Sequence, residues 1–361
     1  PVKILVIVSI LVACGALPGA GQEAGPADAL WELYSQGRFA EVVQQGKALL
    51  STGTETAQVN LAVGRGLADQ DKFAEAEIFL RRAADLDAVD QTWVYAWAQV
   101  YLGNCRWQAA DEDGARRAWT LARDAEATAN ATRSANMNLL GLGLAAMYDA
   151  WTTFTSEHFR FRFSDRLAEL DRTAYARAHE NAYAAVSAWF GGGPDGPIRF
   201  FVWADQEEAT AAGMPQLGFA RPELNVVHCR AEQTVAHDMT HVNAWAACRP
   251  SRVVGLINEG TAVYHDQTGR DQLAKARRAL ADRGEEGVKV SVAALWEDWS
   301  LLPTEVSYPL GGAWVKVLVD QGGREKFLEF FTDQSLDHAR EVYGADLQTW
   351  LDEFETALYG D

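Results

Sequence analysis

The feature that most constrains the fold is a segment that recurs after 34 residues. The stretch "GRFAEVVQQGKALL" begins at Gly37 and "DKFAEAEIFLRRAA" begins at Asp71, so Phe39 and Phe73 occupy matching positions. Such a unit has an apolar face that only a stacked neighbour covers, so several units must pack in series. The sequence therefore predicts a short solenoid of helical pairs near the N-terminus.

The 34-residue period, with small residues such as Gly64 and Ala83 at its packing positions, resembles the tetratricopeptide repeat. We expect these repeats over residues 28–130, with an irregular third unit from about Trp93 to Ala125. A plain helical bundle has the same helices and stays open as an alternative. The resemblance implies a protein partner for the repeats, or packing against an attached domain.

Composition allows two domains with real cores. The chain has 361 residues, of which 48% are hydrophobic and 11% aromatic, and this length exceeds that of a usual single domain. The formal net charge is −18, and the sequence contains no run of basic residues. Because a surface that binds a polyanion needs clustered Lys and Arg, we expect no nucleic-acid partner.

The N-terminus is typical of an export signal. Lys3 precedes an apolar run from Ile4 to Ala13, which suits a signal-peptide core and is too short to span a bilayer. The run ends in "LVAC", which resembles a bacterial lipobox with Cys14 as the acylated residue. Ordinary cleavage near Gly21 is the alternative. Residues 1–21 are thus predicted to be a signal peptide. We expect an exported protein of the cell envelope, in the periplasm or on the outer membrane, or else a secreted one, that meets the membrane only through a lipid anchor.

Sequence patterns change near Trp151. Alternating "HFRFRF" predicts a strand over His158–Phe163, and apolar runs predict two more at Ile198–Ala204 and Leu224–Cys229. A helix is predicted from about Leu170 to Phe190, and helices dominate after residue 231. Strands followed by helices indicate an α+β domain, which we place at residues 151–358.

Two histidines in this domain have metal-ligand spacing. His237 and His241 in "TVAHDMTHVNAW" are four residues apart, which puts both imidazoles on one face of a helix. Glu259, in "GLINEGTAVYHD", follows 18 residues after His241. A catalytic zinc ion takes three protein ligands and leaves one position open. The alternative is a core helix, since Met239 and Val242 also give it an apolar face.

The order of strand, HxxxH helix, loop and second helix opening with "NEG" resembles the gluzincin metallopeptidases. The resemblance covers about residues 155–358, including "SYPLGGAWVKVLVDQGGREKFLEFF" from Ser307. It implies an α+β fold with a small mixed sheet and a helical C-terminal half. It also implies peptide hydrolysis with Zn2+ held by His237, His241 and Glu259, and an edge strand, here "LNVVHC", along which an extended peptide or protein substrate lies.

One residue departs from the family pattern. The resemblance makes Asp238 the general base and acid, where gluzincins have Glu. The side chain is shorter by one methylene, and a displacement of ~1 Å can cost ~100-fold in rate. Tyr308 is a second candidate catalytic residue, as a donor to the oxyanion, although packing against Trp314 would also explain it. The function is therefore either zinc-dependent peptide hydrolysis with weakened activity, or binding and scaffolding by an inactive peptidase-like domain together with the repeats.

Cysteines and further polar residues leave alternatives. Cys229 and Cys248 flank the histidine helix and are the natural disulfide pair in an oxidising compartment. The same two cysteines with both histidines would instead form a closed structural zinc site. His265 is expected on the surface or behind the ligands, and Asp266 is a candidate acceptor behind the site.

Overall fold

The computed structural model describes residues 25–214, 216–283 and 289–360. The predicted signal peptide and the lipobox at Cys14 lie outside the described residues. The chain divides into two units between Asp149 and Ala150.

The first unit is a stack of helices. Each helix packs against the next one in the chain, and α1, α3, α5 and α7 also contact one another in that order. The bounds are α1 (Asp28–Ser35), α2 (Phe39–Ser51), α3 (Ala57–Ala68), α4 (Phe73–Leu86), α5 (Trp93–Gln108), α6 (Glu112–Asp124) and α7 (Ala129–Gly141).

The repeat is visible in the turns of this stack. Phe39 and Phe73 are the first residues of α2 and α4. Two residues before each stands a residue with a left-handed backbone, Gly37 (φ 72°) or Asp71 (φ 60°). Ala110 (φ 59°) has the same conformation two residues before α6. The helix pair α5 and α6 is therefore a third copy of the repeat with a longer first helix, in agreement with the irregular third repeat that the sequence predicts.

Large and small side chains alternate between the paired helices. A Cβ on Gly64 of α3 would lie 2.6 Å from Leu80 Cγ of α4, and one on Gly103 of α5 would lie 2.3 Å from Trp119 Nε1 of α6. In each pair, a glycine on the first helix makes room for a large side chain on the second. This complementarity fixes how closely each pair packs.

The second unit contains a five-stranded mixed sheet in the order β1-β2-β3-β5-β4. The pairs β2/β3 and β3/β5 are parallel, whereas β1/β2 and β4/β5 are antiparallel. The strands are β1 (Thr152–Thr155), β2 (Phe159–Phe163), β3 (Ile198–Trp203), β4 (Phe219–Arg221) and β5 (Val226–Arg230).

Alternation in the sequence sets the faces of this sheet. Phe159, Phe161 and Phe163 of β2 are fully buried on one face, where they join the core of the unit. Arg160 between them is exposed, as a half-buried strand requires.

The strand expectations need two corrections. The predicted third strand, Leu224–Cys229, starts later, because Leu224 belongs to a 3-10 turn, Pro222–Leu224, between β4 and β5. That strand is also not at the edge, since β5 pairs with both β3 and β4. The short β4 is the edge strand beside it, and three residues between Gly218 and Pro222 are too few to show an alternating pattern.

Ten helices of the described residues complete the second unit. None of the described helices is long and apolar enough to cross a membrane. The fold class is confirmed as α+β, with stacked helices, a five-stranded mixed sheet and a helical C-terminal half. The bounds are α8 (Arg172–Phe190), α9 (Gln206–Ala211), α10 (His237–Cys248), α11 (Gly255–Tyr264), α12 (Gln272–Ala281), α13 (Val292–Glu297), α14 (Thr304–Gly322), α15 (Arg324–Phe331), α16 (Leu336–Tyr343) and α17 (Asp346–Tyr359).

Candidate metal centre

The two histidines of the HxxxH segment lie in the first two turns of α10. His237 is the first residue of the helix, and its ring centroid is 5.3 Å from that of His241. Met239 and Val242 are fully buried and point into the core. The apolar residues thus anchor one side of α10 while both imidazoles project from another.

Helix α11 packs against α10 and brings Glu259 to the histidines. Glu259 Oε2 lies 3.4 Å from His237 Nε2 and 3.5 Å from His241 Nε2. All three ligand atoms lie within 4.8 Å of one another. In the part of the chain that the structure describes, this is the group of His, Cys, Asp and Glu side chains that could hold a metal ion.

The spacing fits a tetrahedral zinc ion. With Zn–N and Zn–O bonds of about 2.0–2.1 Å, two ligand atoms at the tetrahedral angle are about 3.3 Å apart. The two His–Glu separations of 3.4 and 3.5 Å are close to that value. Two imidazoles and one carboxylate are also a donor set that zinc prefers in catalytic sites. The residues present therefore fit the metal that the sequence implies.

A side chain behind His241 supports its orientation. The amide of Asn258 lies 3.1 Å from His241 Nδ1, on the side of the ring away from Glu259. An imidazole that binds zinc through Nε2 keeps its proton on Nδ1, and that proton is then donated to an acceptor. The amide atom that faces Nδ1 is Asn258 Nδ2, and a half-turn of the amide group would place Oδ1, which is such an acceptor, at the same position. No spacing rule in the sequence pointed to Asn258.

Charge within the cluster favours an ionised carboxylate. Burial alone would raise the pKa of Glu259, but contacts with His237 and His241 outweigh it and hold the pKa well below its usual range. Burial would lower the pKa of His241, yet its contact with Glu259 raises it. A buried carboxylate needs positive charge beside it, and a metal ion held by the same three residues would supply that charge.

Asp238 is almost sealed from solvent. Its side chain is 2% exposed, and Oδ1 has no hydrogen-bond partner among the described residues. Burial raises the pKa of the Asp238 carboxyl, against the opposing charges of His237 and His241. An orphaned buried carboxylate oxygen is costly unless a proton, a water molecule or a cation satisfies it. Asp238 is therefore placed beside the ligands and poorly satisfied without a further group.

Tyr308 also reaches the cluster. Its ring stacks on His237 with a centroid distance of 6.0 Å, and Tyr308 is near enough to Glu259 for that carboxylate to affect its pKa. Burial, together with Glu259, raises the pKa of Tyr308 to about 12. The alternative of packing against Trp314 is wrong, because the other aromatic neighbour of Tyr308 is Trp299, with centroids 5.7 Å apart. Trp314 packs elsewhere in the core, against α13 and α17.

Glycines bring α14, which carries Tyr308, close to α11. A Cβ on Gly260, the residue after Glu259, would lie 2.5 Å from the carbonyl oxygen of Gly311. A Cβ on Gly312 would lie 2.4 Å from a Val263 methyl group. The two helices therefore cross almost backbone to backbone. This crossing holds the Tyr308 hydroxyl within reach of Glu259.

Two of the three candidate ligands, His241 and Glu259, line a cleft of about 290 Å³. Tyr308 also lines this cleft, as does the edge strand β4 through Phe219 and Ala220. The cleft is at the small end of the ~300–1,000 Å³ typical of ligand sites. The other side chains that line the cleft are two polar ones, Glu223 and Asn258, and five apolar ones, namely Pro222, Trp245, Pro250, Val253 and Phe331.

The disulfide prediction is wrong, because Cys229 and Cys248 are both free thiols. Cys229 lies on β5, with its sulfur 3.6 Å from the Tyr175 hydroxyl. Burial raises the pKa of the Cys229 thiol, and the nearby Asp238 carboxylate raises it further. Cys248 is the last residue of α10, about 15 Å along the helix from Asp238 at 1.5 Å per residue. A disulfide needs Cα atoms within about 7 Å. The closed zinc site fails for the same reason, and neither sulfur belongs to the metal-binding group.

The expectations for His265 and Asp266 are also wrong. His265 packs edge-on against Trp189, with centroids 4.6 Å apart, and burial lowers its pKa to about 4. Asp266 accepts hydrogen bonds from the backbone and hydroxyl of Thr268 and stabilises the turn after α11. Neither residue supports the candidate ligands.

Comparison with known proteins assigns no family: no family model, no curated protein and no solved structure matches this chain.

Proposed function

We propose that the C-terminal unit is a zinc-dependent peptidase of the gluzincin type. The observation that carries the proposal is the convergence of His237 Nε2, His241 Nε2 and Glu259 Oε2 at spacings that suit zinc, with His241 and Glu259 also lining a cleft. When bound, a zinc ion supplies a Lewis acid that polarises a carbonyl group and makes a water molecule acidic. The order of elements around these residues, from β5 through α10 to α11, supports the resemblance drawn from sequence.

Asp238 and Tyr308 complete the proposed site. Asp238 takes a proton from the attacking water and later gives it to the leaving amine, and the raised pKa of its buried carboxyl suits a group that holds a proton for part of the cycle. Tyr308 keeps its proton at neutral pH because its pKa is about 12. Its hydroxyl is therefore available to donate to an oxyanion.

The edge strand supports a peptide as the substrate. One side of β4 pairs with β5, and no other strand of the described sheet pairs with its second side. An extended peptide bound there would hydrogen-bond to the main chain beside the cleft. A narrow cleft accepts a few residues of an unfolded segment rather than a folded domain.

A second candidate function is binding without catalysis. Asp238 is 2% exposed and one methylene shorter than the glutamate of the family, so its carboxylate has to reach water from a recessed position. If it does not reach, the unit keeps its fold and acts with the helical repeats as a binding or scaffolding protein. In either case we propose an exported protein whose repeats bind a protein partner.

Asp238 variants decide between the two functions. The test compares the wild type with Asp238→Ala and Asp238→Glu in cleavage of a mixture of unstructured peptides, followed by mass spectrometry. Asp352→Ala removes an exposed carboxylate on α17 and is the matched control. The peptidase proposal predicts cleavage by the wild type and the control and a loss of ~100-fold or more in Asp238→Ala, with zinc retained. An inert wild type with an active Asp238→Glu variant would show that the native site is degraded.

Membrane attachment is tested separately. We propose that Cys14 carries the lipid, so that cells fed radiolabelled palmitate label the wild type and not Cys14→Ala. Release of the unlabelled wild type into the medium would support secretion instead.

A further inference from the structure

We propose that Glu223 makes the cleft select peptides that carry a protonated amine, either a Lys or Arg side chain or a free N-terminus. This inference rests on the proposed peptide-binding function of the same cleft. It adds a specificity-determining residue outside the candidate catalytic group.

Glu223 lies where a bound peptide would pass. It is in the 3-10 turn Pro222–Leu224, which directly follows the edge strand β4. The turn packs against α10, the helix that bears His237 and His241. Glu223 also lines the cleft itself.

Glu223 is a carboxylate in a cleft whose described lining residues include no Lys or Arg. Glu223 and Glu259 are the acidic residues that line it, and no Lys or Arg among the described residues does so. Glu259 is engaged by both histidines. Glu223 is only half-buried and forms no hydrogen bond or ion pair with any residue that the structure describes. Its charge interacts at longer range with Arg221 of β4, which does not line the cleft. The Glu223 carboxylate is therefore available to form a hydrogen bond or an ion pair with a substrate.

Electrostatics then set the sign of the selection. A partly buried carboxylate in a cleft with low-dielectric walls attracts an ammonium or guanidinium group and repels a second carboxylate. The chain as a whole carries a net charge of −18, so acidic peptides gain nothing elsewhere on the approach. The apolar walls formed by Trp245, Val253 and Phe331 supply contact area without charge, which leaves Glu223 as the discriminating group.

The experiment uses zinc-loaded full-length protein and short peptides in which one position at a time is Lys, Gln or Glu, each with a free or an acetylated N-terminus. Affinity is measured by fluorescence anisotropy, and kcat/KM is measured where cleavage occurs. We expect the wild type to favour the best Lys peptide over its Glu counterpart by about tenfold, which is about 1.4 kcal/mol. Loss of the preference on acetylation identifies the N-terminal amine, and its persistence identifies the side chain.

Variants test whether Glu223 is the cause. Glu223→Gln should remove the Lys-over-Glu preference and Glu223→Lys should reverse it, with zinc content unchanged in both. Glu169→Gln removes one exposed carboxylate outside the cleft and should leave the preference as in the wild type. Equal preference in the wild type and Glu223→Gln overturns the inference, as does the absence of any peptide binding. Charge-selective binding without cleavage would contradict the proposed hydrolysis and leave the role of Glu223 standing.

Discussion

Replacing Gly260 by alanine probes the contact that holds the candidate site together. The new Cβ would lie 2.5 Å from the Gly311 carbonyl oxygen and 2.6 Å from its carbonyl carbon, where ordinary van der Waals contact begins at 3.4 Å. Both neighbours are backbone atoms, so no side chain can rotate away. Helices α11 and α14 must therefore separate by up to about 0.9 Å. Overpacking of this kind typically costs ~1–3 kcal/mol of stability.

The same displacement should reach the metal ligands. Glu259 precedes Gly260, and ligand distances in zinc sites tolerate only about ±0.2 Å. We expect Gly260→Ala to lower the free energy of unfolding by ~1–3 kcal/mol, to lower the Tm by ~2–12 °C, and to weaken zinc binding by ~10-fold or more. Calorimetry of the full-length protein gives the first two, and competition with a chromophoric chelator gives the third.

Gly192 offers a matched control for this variant. A Cβ on Gly192 would meet no atom within 4 Å, and its backbone is not left-handed. Gly192→Ala should therefore leave zinc affinity unchanged and alter the free energy of unfolding by less than ~1 kcal/mol. A Gly260→Ala protein that unfolds and binds zinc like Gly192→Ala would refute the backbone-to-backbone crossing of α11 and α14.

Three further predictions follow from buried groups. Burial lowers the pKa of His179 and of His265 to about 4, whereas the unfolded chain takes up these protons near 6.5, so stability falls as the pH drops from 7 to 4 by up to ~3 kcal/mol per histidine. Denaturant titrations should show that the free energy of unfolding of His179→Gln depends less on pH than that of the wild type, by the contribution of His179. An equal pH dependence in the two proteins would contradict this prediction. Asn258→Asp keeps an acceptor for His241 and should keep zinc affinity, whereas Asn258→Leu should lose ~10–100-fold, as measured by chelator competition; equal affinities would remove the positioning role. Without reductant, denatured protein should alkylate at both Cys229 and Cys248, and protection of the pair would restore the disulfide.

Local periodicity accounts for what the sequence could predict. The spacing of His237 and His241 follows from the helical repeat alone, and the alternation in β2 follows from the pleat of a strand. The 34-residue period likewise placed α2 and α4, because each begins at the same residue of the unit. These features depend on neighbours in the sequence.

Contacts distant in sequence account for what it could not. The approach of Tyr308 to Glu259 depends on a glycine crossing whose partners are about 50 residues apart in the chain, and no local pattern marks such a pair. The edge strand β4 is too short for a periodic signal. For that reason the sequence predicts the neighbouring strand, β5, as the edge strand, although β4 occupies that position. The disulfide prediction relied on order along the chain, whereas the length of α10 separates the two cysteines.

Metal analysis of full-length protein purified without chelators tests the central claim most directly. We predict about one zinc ion per chain, lost in His237→Ala and in Glu259→Ala. Asp238→Ala should retain the zinc ion, because the Asp238 carboxylate is not a ligand. Wild-type protein that contains no zinc and takes none up on reconstitution would contradict it.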